Sequence, residues 1–206
     1  IYRSVRFRKI GGNMRSLFSN YVLNGRVFKN RIVMPPMVCP GWSDDNGFVS
    51  DMHVRHYEAR ARGGIGLIII EACSINKSGR AFSTQLGIWD DKHIEGLKRI
   101  SDACKKYGAQ VVVQINHMGL KTHQSISDTA LGPSECPVLS NRTKAMTISE
   151  IHNLQQDYIN AAERAYKAGF DGIELHGAHG MLLEQYLLPC INQRSDEYGG
   201  NLQNRL

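Results

Sequence analysis

Two spacings of apolar residues alternate along this chain. Unbroken apolar runs are separated by longer stretches in which apolar residues recur every three or four positions. The first spacing reads as strands buried on both faces, the second as amphipathic helices. Residues 22–28 open with apolar flanks around Asn24-Gly25, a pair that supplies the positive φ angles of a tight hairpin. Arg31–Met37 reads as a first strand ending in Pro35-Pro36, and residues 51–62 as a helix with Ser50 as N-cap and Gly63-Gly64 as its stop. Gly66–Ala72 is a second strand. Residues 91–107 form a helix with Ile94, Leu97, Ile100, Cys104 and Tyr107 on one face. Ala109–Asn116 is a third strand, followed by a Gly-, Pro- and Ser-rich loop over 117–146. Thr147 with Glu150 makes a capping box, and Ile151, Leu154, Tyr158, Ala161, Ala162 and Ala165 form the stripe of the helix it opens, which Gly169 closes. Asp171–His176 is a fourth strand. A short helix is predicted over 180–188, then a polar loop to the end.

Strand and helix in strict alternation predict an α/β fold with a parallel sheet. Two architectures satisfy the pattern: an open doubly wound sheet, or part of a (β/α)8 TIM barrel. A dinucleotide fold of the first kind carries G-x-G-x-x-G after its first strand, where this chain has Pro35-Pro36-Met37. Gln114, Asn116 and His176 sit instead at the C-terminal ends of strands, where a barrel places its active site.

Composition narrows the class. The chain has 206 residues, 42% hydrophobic and 21% charged, which excludes a disordered or fibrous protein. The longest unbroken aliphatic run, Leu67–Ile70, is far short of a membrane span. The net charge of +6 is local: residues 1–43 hold eight Lys/Arg and no acid, leaving 17 basic against 19 acidic residues elsewhere. A nucleic-acid-binding surface is therefore not expected. Residues 1–13, Arg-rich and ahead of Met14, read as an extension outside the fold, and residues 14–206 as the folded unit. Five scattered cysteines, never spaced C-x-x-C, favour neither a disulfide framework nor a structural zinc site, and a cytoplasmic location is expected.

Three features carry candidate chemistry. In His176-Gly177-Ala178-His179-Gly180, two imidazoles leave a strand end three residues apart across small residues that let the backbone bend sharply. Together they can grip one anionic or carbonyl oxygen, or serve as ordinary satisfied polar groups at a strand end; a metal site lacks a third ligand at diagnostic spacing. Gln114, an amide among aliphatic neighbours, offers a donor and an acceptor to a heteroaromatic ring edge, or pairs with backbone inside a barrel. Pro35-Pro36-Met37 is either a stiff apolar shelf for a flat ring or a plain strand terminus.

Several segments occur together and in order: NRIVMPPM (30–37), IEA (70–72), GIWDDKHIEGLK (87–98), QINHMG (114–119), GPS (132–134), AGFDGIELHGAHGMLLEQYLLP (168–189) and NQRSDEYGGNLQNR (192–205). In this the chain resembles the old yellow enzyme family of FMN-dependent NAD(P)H:flavin oxidoreductases, from about residue 14 to 206. The resemblance implies a (β/α)8 barrel with FMN at its C-terminal mouth, of which this chain carries the first four βα units and an N-terminal β-hairpin. It implies that Pro35, Pro36, Met37 and Val38 pack on the flavin, that Ala72 lies at the flavin edge, and that Gln114 bonds the pyrimidine part of the ring. It implies that His176 and His179 hold the carbonyl oxygen of an enone, and that NADH or NADPH is the reductant. Homo-oligomerisation is left open.

The chain departs from the family pattern at three places. Met181 stands where a proton-donating Tyr is usual, Val38 where some relatives carry a flavin-tuning Cys, and Pro40 where some carry a substrate-contacting Tyr. Four strands are half of eight, so the unit is expected to be completed by a longer chain or another chain, and to hold FMN weakly on its own. The alternatives carried forward are an N-terminal part of an iron–sulfur flavoprotein of the dienoyl-CoA reductase type, and a non-catalytic half-barrel.

Overall fold

A computed structural model describes residues 16–137 and 142–206. The expected extension over residues 1–13 lies outside the described residues. Strands β1 (Tyr21–Leu23) and β2 (Arg26–Phe28) pair as the predicted hairpin, with Val22 opposite Val27. Asn24 (φ 47°) and Gly25 (φ 78°) both occupy the left-handed region that this turn requires. Strand β3 is only Val33–Met34, shorter than the predicted Arg31–Met37. Pro35 and Pro36 bring no amide hydrogen, so the ladder to the next strand stops at them.

Helix α1 (Asp51–Arg62) spans the predicted residues, with the Ser50 backbone N–H donating to His53 Nδ1 at 3.1 Å. Strand β4 (Leu67–Ser74) runs two residues past its predicted end. Helix α2 (His93–Lys105) and strand β5 (Gln110–Asn116) fall within their predicted spans. The region read as a bare loop holds a short parallel pair, β6 (Ala130–Gly132) and β7 (Thr143–Ala145). Three-residue strands carry too little periodicity to stand out from loop sequence. Helix α3 (Ile148–Lys167) opens on the predicted box: Glu150 N–H donates to Thr147 Oγ1 at 3.2 Å and Thr147 N–H to Glu150 Oε2 at 2.7 Å. Strand β8 (Gly172–Leu175) and helix α4 (Leu182–Leu187) follow, and α5 (Leu202–Arg205) replaces part of the predicted terminal loop.

The main sheet is parallel, in the order β3-β4-β5-β8. Ile68, Ile70, Val111 and Val113 are fully buried in one cluster with Tyr57 of α1, Leu97 and Ile100 of α2, and Ala161 and Ala165 of α3. Each such aliphatic side chain contributes about 1.5–3 kcal/mol by leaving water. The intervening residues Leu67, Ile69 and Val112 are only half-buried, and Ile173 and Leu175 on the edge strand β8 are exposed. Burial on both faces, read from the unbroken apolar runs, is thus realised in the C-terminal halves of β4 and β5, from Ile70 to Ser74 and from Val113 to Asn116, while their first residues are buried at alternate positions only. Four parallel strands cannot close a barrel, and the face away from the helices stays open. Among the described residues no helix is long and apolar enough to cross a membrane.

Candidate active site

The chemistry-bearing residues gather at the C-terminal ends of β4, β5 and β8. Register brings Gln114 opposite Glu174, and Gln114 Nε2 donates to Glu174 Oε1 at 2.7 Å. This bond decides which way the amide faces. Its acceptor oxygen, which makes no hydrogen bond among the described residues, is left for an incoming donor. Ala72 is buried beside it in β4, its carbonyl accepting from Gln85 Nε2 at 2.7 Å.

His176 follows β8 directly, and its backbone N–H donates to Ile115 O at 3.2 Å. Its Nε2 lies 3.4 Å from His179 Nδ1, with ring centroids 5.1 Å apart and planes at 90°. Two nitrogens at this separation can both reach a third atom placed at ordinary hydrogen-bond distance from each. Burial, then the neighbouring His179, holds the His176 pKa below its usual value, so its ring is neutral at pH 7.

The turn that makes this convergence is backbone-strained. His179 sits at φ 58°, where a side chain with Cβ is uncommon, and it persists because the surroundings hold it. Lys121 Nζ donates to His179 O at 2.7 Å, and Gly180 N–H donates to Glu184 Oε2 at 2.5 Å. Gln185, 1% exposed, donates through Nε2 to Gly180 O at 2.7 Å and to Met118 O at 3.1 Å, and accepts from Leu120 N–H at 2.9 Å. Gly119 (φ 61°) lies against that amide; a Cβ there would fall 2.2 Å from Gln185 Oε1. Beneath the turn His117 is buried and accepts from Gly119 N–H through Nδ1 at 2.9 Å, which puts its proton on Nε2. Burial pushes its pKa down to about 4.

Pro35, Pro36, Met37 and Val38 continue β3 at the same end of the sheet, with Met37 and Val38 exposed. Cys39 is not a ready thiolate: burial, then the Glu71 charge, raises its thiol to about 12. Met181 is the N-cap residue of α4 and carries no transferable proton. Tyr186, on the next turn, bonds Met146 Sδ at 3.5 Å, and burial raises its pKa.

The structure thus brings together His176 with His179, and sets Gln114 in β5 and Ala72 in β4, the next two strands of the main sheet. Sequence reasoning missed Glu71, Glu174, Lys121, Glu184, Gln185 and the burial of His117. Glu71 carried the same signal as Gln114, a polar side chain inside an aliphatic strand. The others had none, because their partners are brought in only by folding. Among the described residues no three His, Cys, Asp or Glu side chains group as a metal site would.

Parallel β/α units with an amide and an imidazole pair at their C-terminal ends define part of a (β/α)8 barrel with its ligand-binding mouth at that end. A profile of the NADH:flavin oxidoreductase / NADH oxidase family matches residues 16–206, and the chain belongs to that family of FMN-dependent oxidoreductases. It is 44% identical over 191 residues to an NADPH dehydrogenase of Clostridium acetobutylicum, covering 92% of this chain and 56% of that relative. It is 40% identical to an NADH oxidase of Thermoanaerobacter brockii, covering 93% of this chain and 30% of the relative. Among solved structures it superposes on the old yellow enzyme homologue of Zymomonas mobilis with a TM-score of 0.84 at 32% identity, covering 93% and 56% of the two chains. On morphinone reductase in complex with tetrahydroNAD the TM-score is 0.85 at 27% identity, covering 93% and 57%. The chain spans about half the length of the curated NADPH dehydrogenases it matches.

Proposed function

We propose that this chain forms the flavin-facing half of an ene-reductase, in which hydride passes from NADH or NADPH by way of FMN to the β-carbon of an α,β-unsaturated carbonyl compound. The observation that carries this reading is the pair of imidazole nitrogens 3.4 Å apart at the end of β8. FMN, when bound, supplies the two-electron chemistry. His176 and His179 donate to the substrate's carbonyl oxygen, where negative charge grows as the β-carbon receives hydride. Donors aimed at that developing charge favour the transition state over the ground state.

Gln114 suits the flavin because its open acceptor oxygen matches a ring N–H. Pro35, Pro36, Met37 and Val38 provide an apolar shelf, and Ala72, being small and buried, lets the ring edge approach. Met181 leaves the α-carbon without a tyrosine donor, so water or another residue delivers the single proton that completes the saturated product. Residues 14–206 act as one unit that needs the remaining strands to enclose the flavin phosphate.

The test supplies the protein with FMN and with the portion of the Clostridium relative that it does not match. The flavin is reduced anaerobically with NADPH, and a cyclic enone is added. Return of the oxidised flavin absorbance, with saturated ketone as product, is expected. A loaded protein whose flavin stays reduced would overturn the reading.

A second reading rests on relatives of which the chain covers only about a third, the Thermoanaerobacter NADH oxidase (30%) and a 2-naphthoyl-CoA reductase structure (31%). On this reading the chain is the N-terminal part of a larger flavoprotein of the dienoyl-CoA reductase type, which would carry an iron–sulfur cluster beyond the half-barrel. A cysteine-rich run encoded downstream of Leu206, with iron in the purified product, would select it.

A further inference from the structure

We propose that Glu71 is a positioning residue that ties the segment after β3 to the end of β4, and so sets the spacing between Val38 and Ala72. The inference rests on the reading above, in which these two segments face the flavin. The β3–β4 ladder ends at the pair Met34–Ile68. Pro35 and Pro36 follow and have no amide hydrogen to extend it. Past them a carboxyl group replaces the ladder: Cys39 N–H donates to Glu71 Oε2 at 2.8 Å. The next tether, Gly41 N–H to Thr84 Oγ1 at 3.1 Å, goes to a loop rather than to the sheet.

The carboxyl group is itself held. Glu71 is 1% exposed, and its Oε1 accepts from Tyr57 Oη at 3.2 Å. Tyr57, fully buried in α1, accepts in turn from Glu71 N–H at 3.1 Å. The His53 ring fills the remaining side, with Nε2 3.6 Å from Oε1. Backbone and side chain of one residue are therefore both fixed by one tyrosine, and the free oxygen is aimed at Cys39. The next residue, Ala72, inherits that placement. A buried carboxyl with no Lys or Arg against it is costly to keep, and the tether is what it provides.

Amide hydrogen exchange by mass spectrometry on the protein completed with the unmatched portion of the Clostridium relative, free of flavin, tests this. In E71A the peptide containing residues 37–41 should exchange about tenfold faster, the scale of one lost hydrogen bond, while residues 68–70 and 111–115 keep their protection. E71Q retains an oxygen for the Cys39 amide and should restore protection of 37–41. Unchanged exchange of 37–41 in E71A overturns the proposal. If E71A loosens the whole chain, E71Q decides: restored protection of 37–41 supports the tether, and E71Q as labile as E71A overturns it. In a second arm, FMN affinity of the completed protein should fall about tenfold in E71A and stay within about twofold in E71Q. Failure of the wild-type protein to take up FMN counts against the proposed function alone, since the exchange arm reads the tether by itself.

Discussion

Replacing Gln185 by leucine tests how the imidazole turn is held. The side chain is buried and makes three hydrogen bonds, to Leu120 N–H, Met118 O and Gly180 O. Leucine has similar volume, so little cavity is created and the loss is of polar partners. The two carbonyls lose one bond each, about 0.5–1.5 kcal/mol apiece. Met118 O keeps a second donor, Lys121 N–H at 3.2 Å. Leu120 N–H has a single hydrogen and is left buried without an acceptor, which costs about 1–3 kcal/mol. The sum for Q185L is about 4 kcal/mol, a large share of the stability of an ordinary domain. Urea unfolding at pH 7, followed by far-UV circular dichroism, measures it as a shift in midpoint at constant slope. Q185E separates the bonds by sign. It keeps an acceptor for Leu120 but sets a carboxylate against two carbonyl oxygens, which raises its folded pKa. Its deficit should therefore be small below about pH 4, the unfolded value, and grow as pH rises through the folded one. A cost below about 1 kcal/mol for Q185L would mean that water replaces these bonds without penalty, and the account of the turn would be wrong.

Three further outcomes are expected. Burial holds His117 and His53 at pKa values of about 4, so both are neutral when folded. Their stabilisation is complete above about pH 6.5 and is lost as pH falls toward 4, by up to about 3 kcal/mol each. Glu71, raised by burial, runs the opposite way and partly offsets them. In H117Q the slope of unfolding free energy between pH 6.5 and 4 should fall, and an unchanged slope would refute this. T147A removes one side of the capping box on α3 and should cost about 1 kcal/mol by thermal melting; no loss would mean that the Glu150 contact suffices. H176A and H179A should each slow enone-driven reoxidation of the loaded flavin by about a hundredfold, with FMN affinity little changed. Equal slowing of the NADPH half-reaction would place the histidines elsewhere in the chemistry.

Much of the architecture was legible from periodicity because it rests on local rules. Asn24-Gly25 dictates its turn, Thr147 and Glu150 cap their helix, and the aliphatic runs of β4 and β5 cannot stay in water. Gln114 and His176 stand out as candidates for a related reason: polar side chains at the ends of apolar strands differ from their neighbours. Strand β3 is shorter than its apolar run because Pro35 and Pro36 lack the amide hydrogens that a strand needs.

What no window of sequence contains is which distant groups meet. Lys121 and Gln185 hold the turn at His179 across 58 and 65 residues, counted to His179 and Leu120. The Tyr57 hydroxyl and the Cys39 amide find Glu71 only once α1 has docked on the sheet. Local patterns set the elements because backbone hydrogen bonds and water exclusion act residue by residue. The site's geometry was decided by packing, which alone sets the distance between groups far apart in the chain.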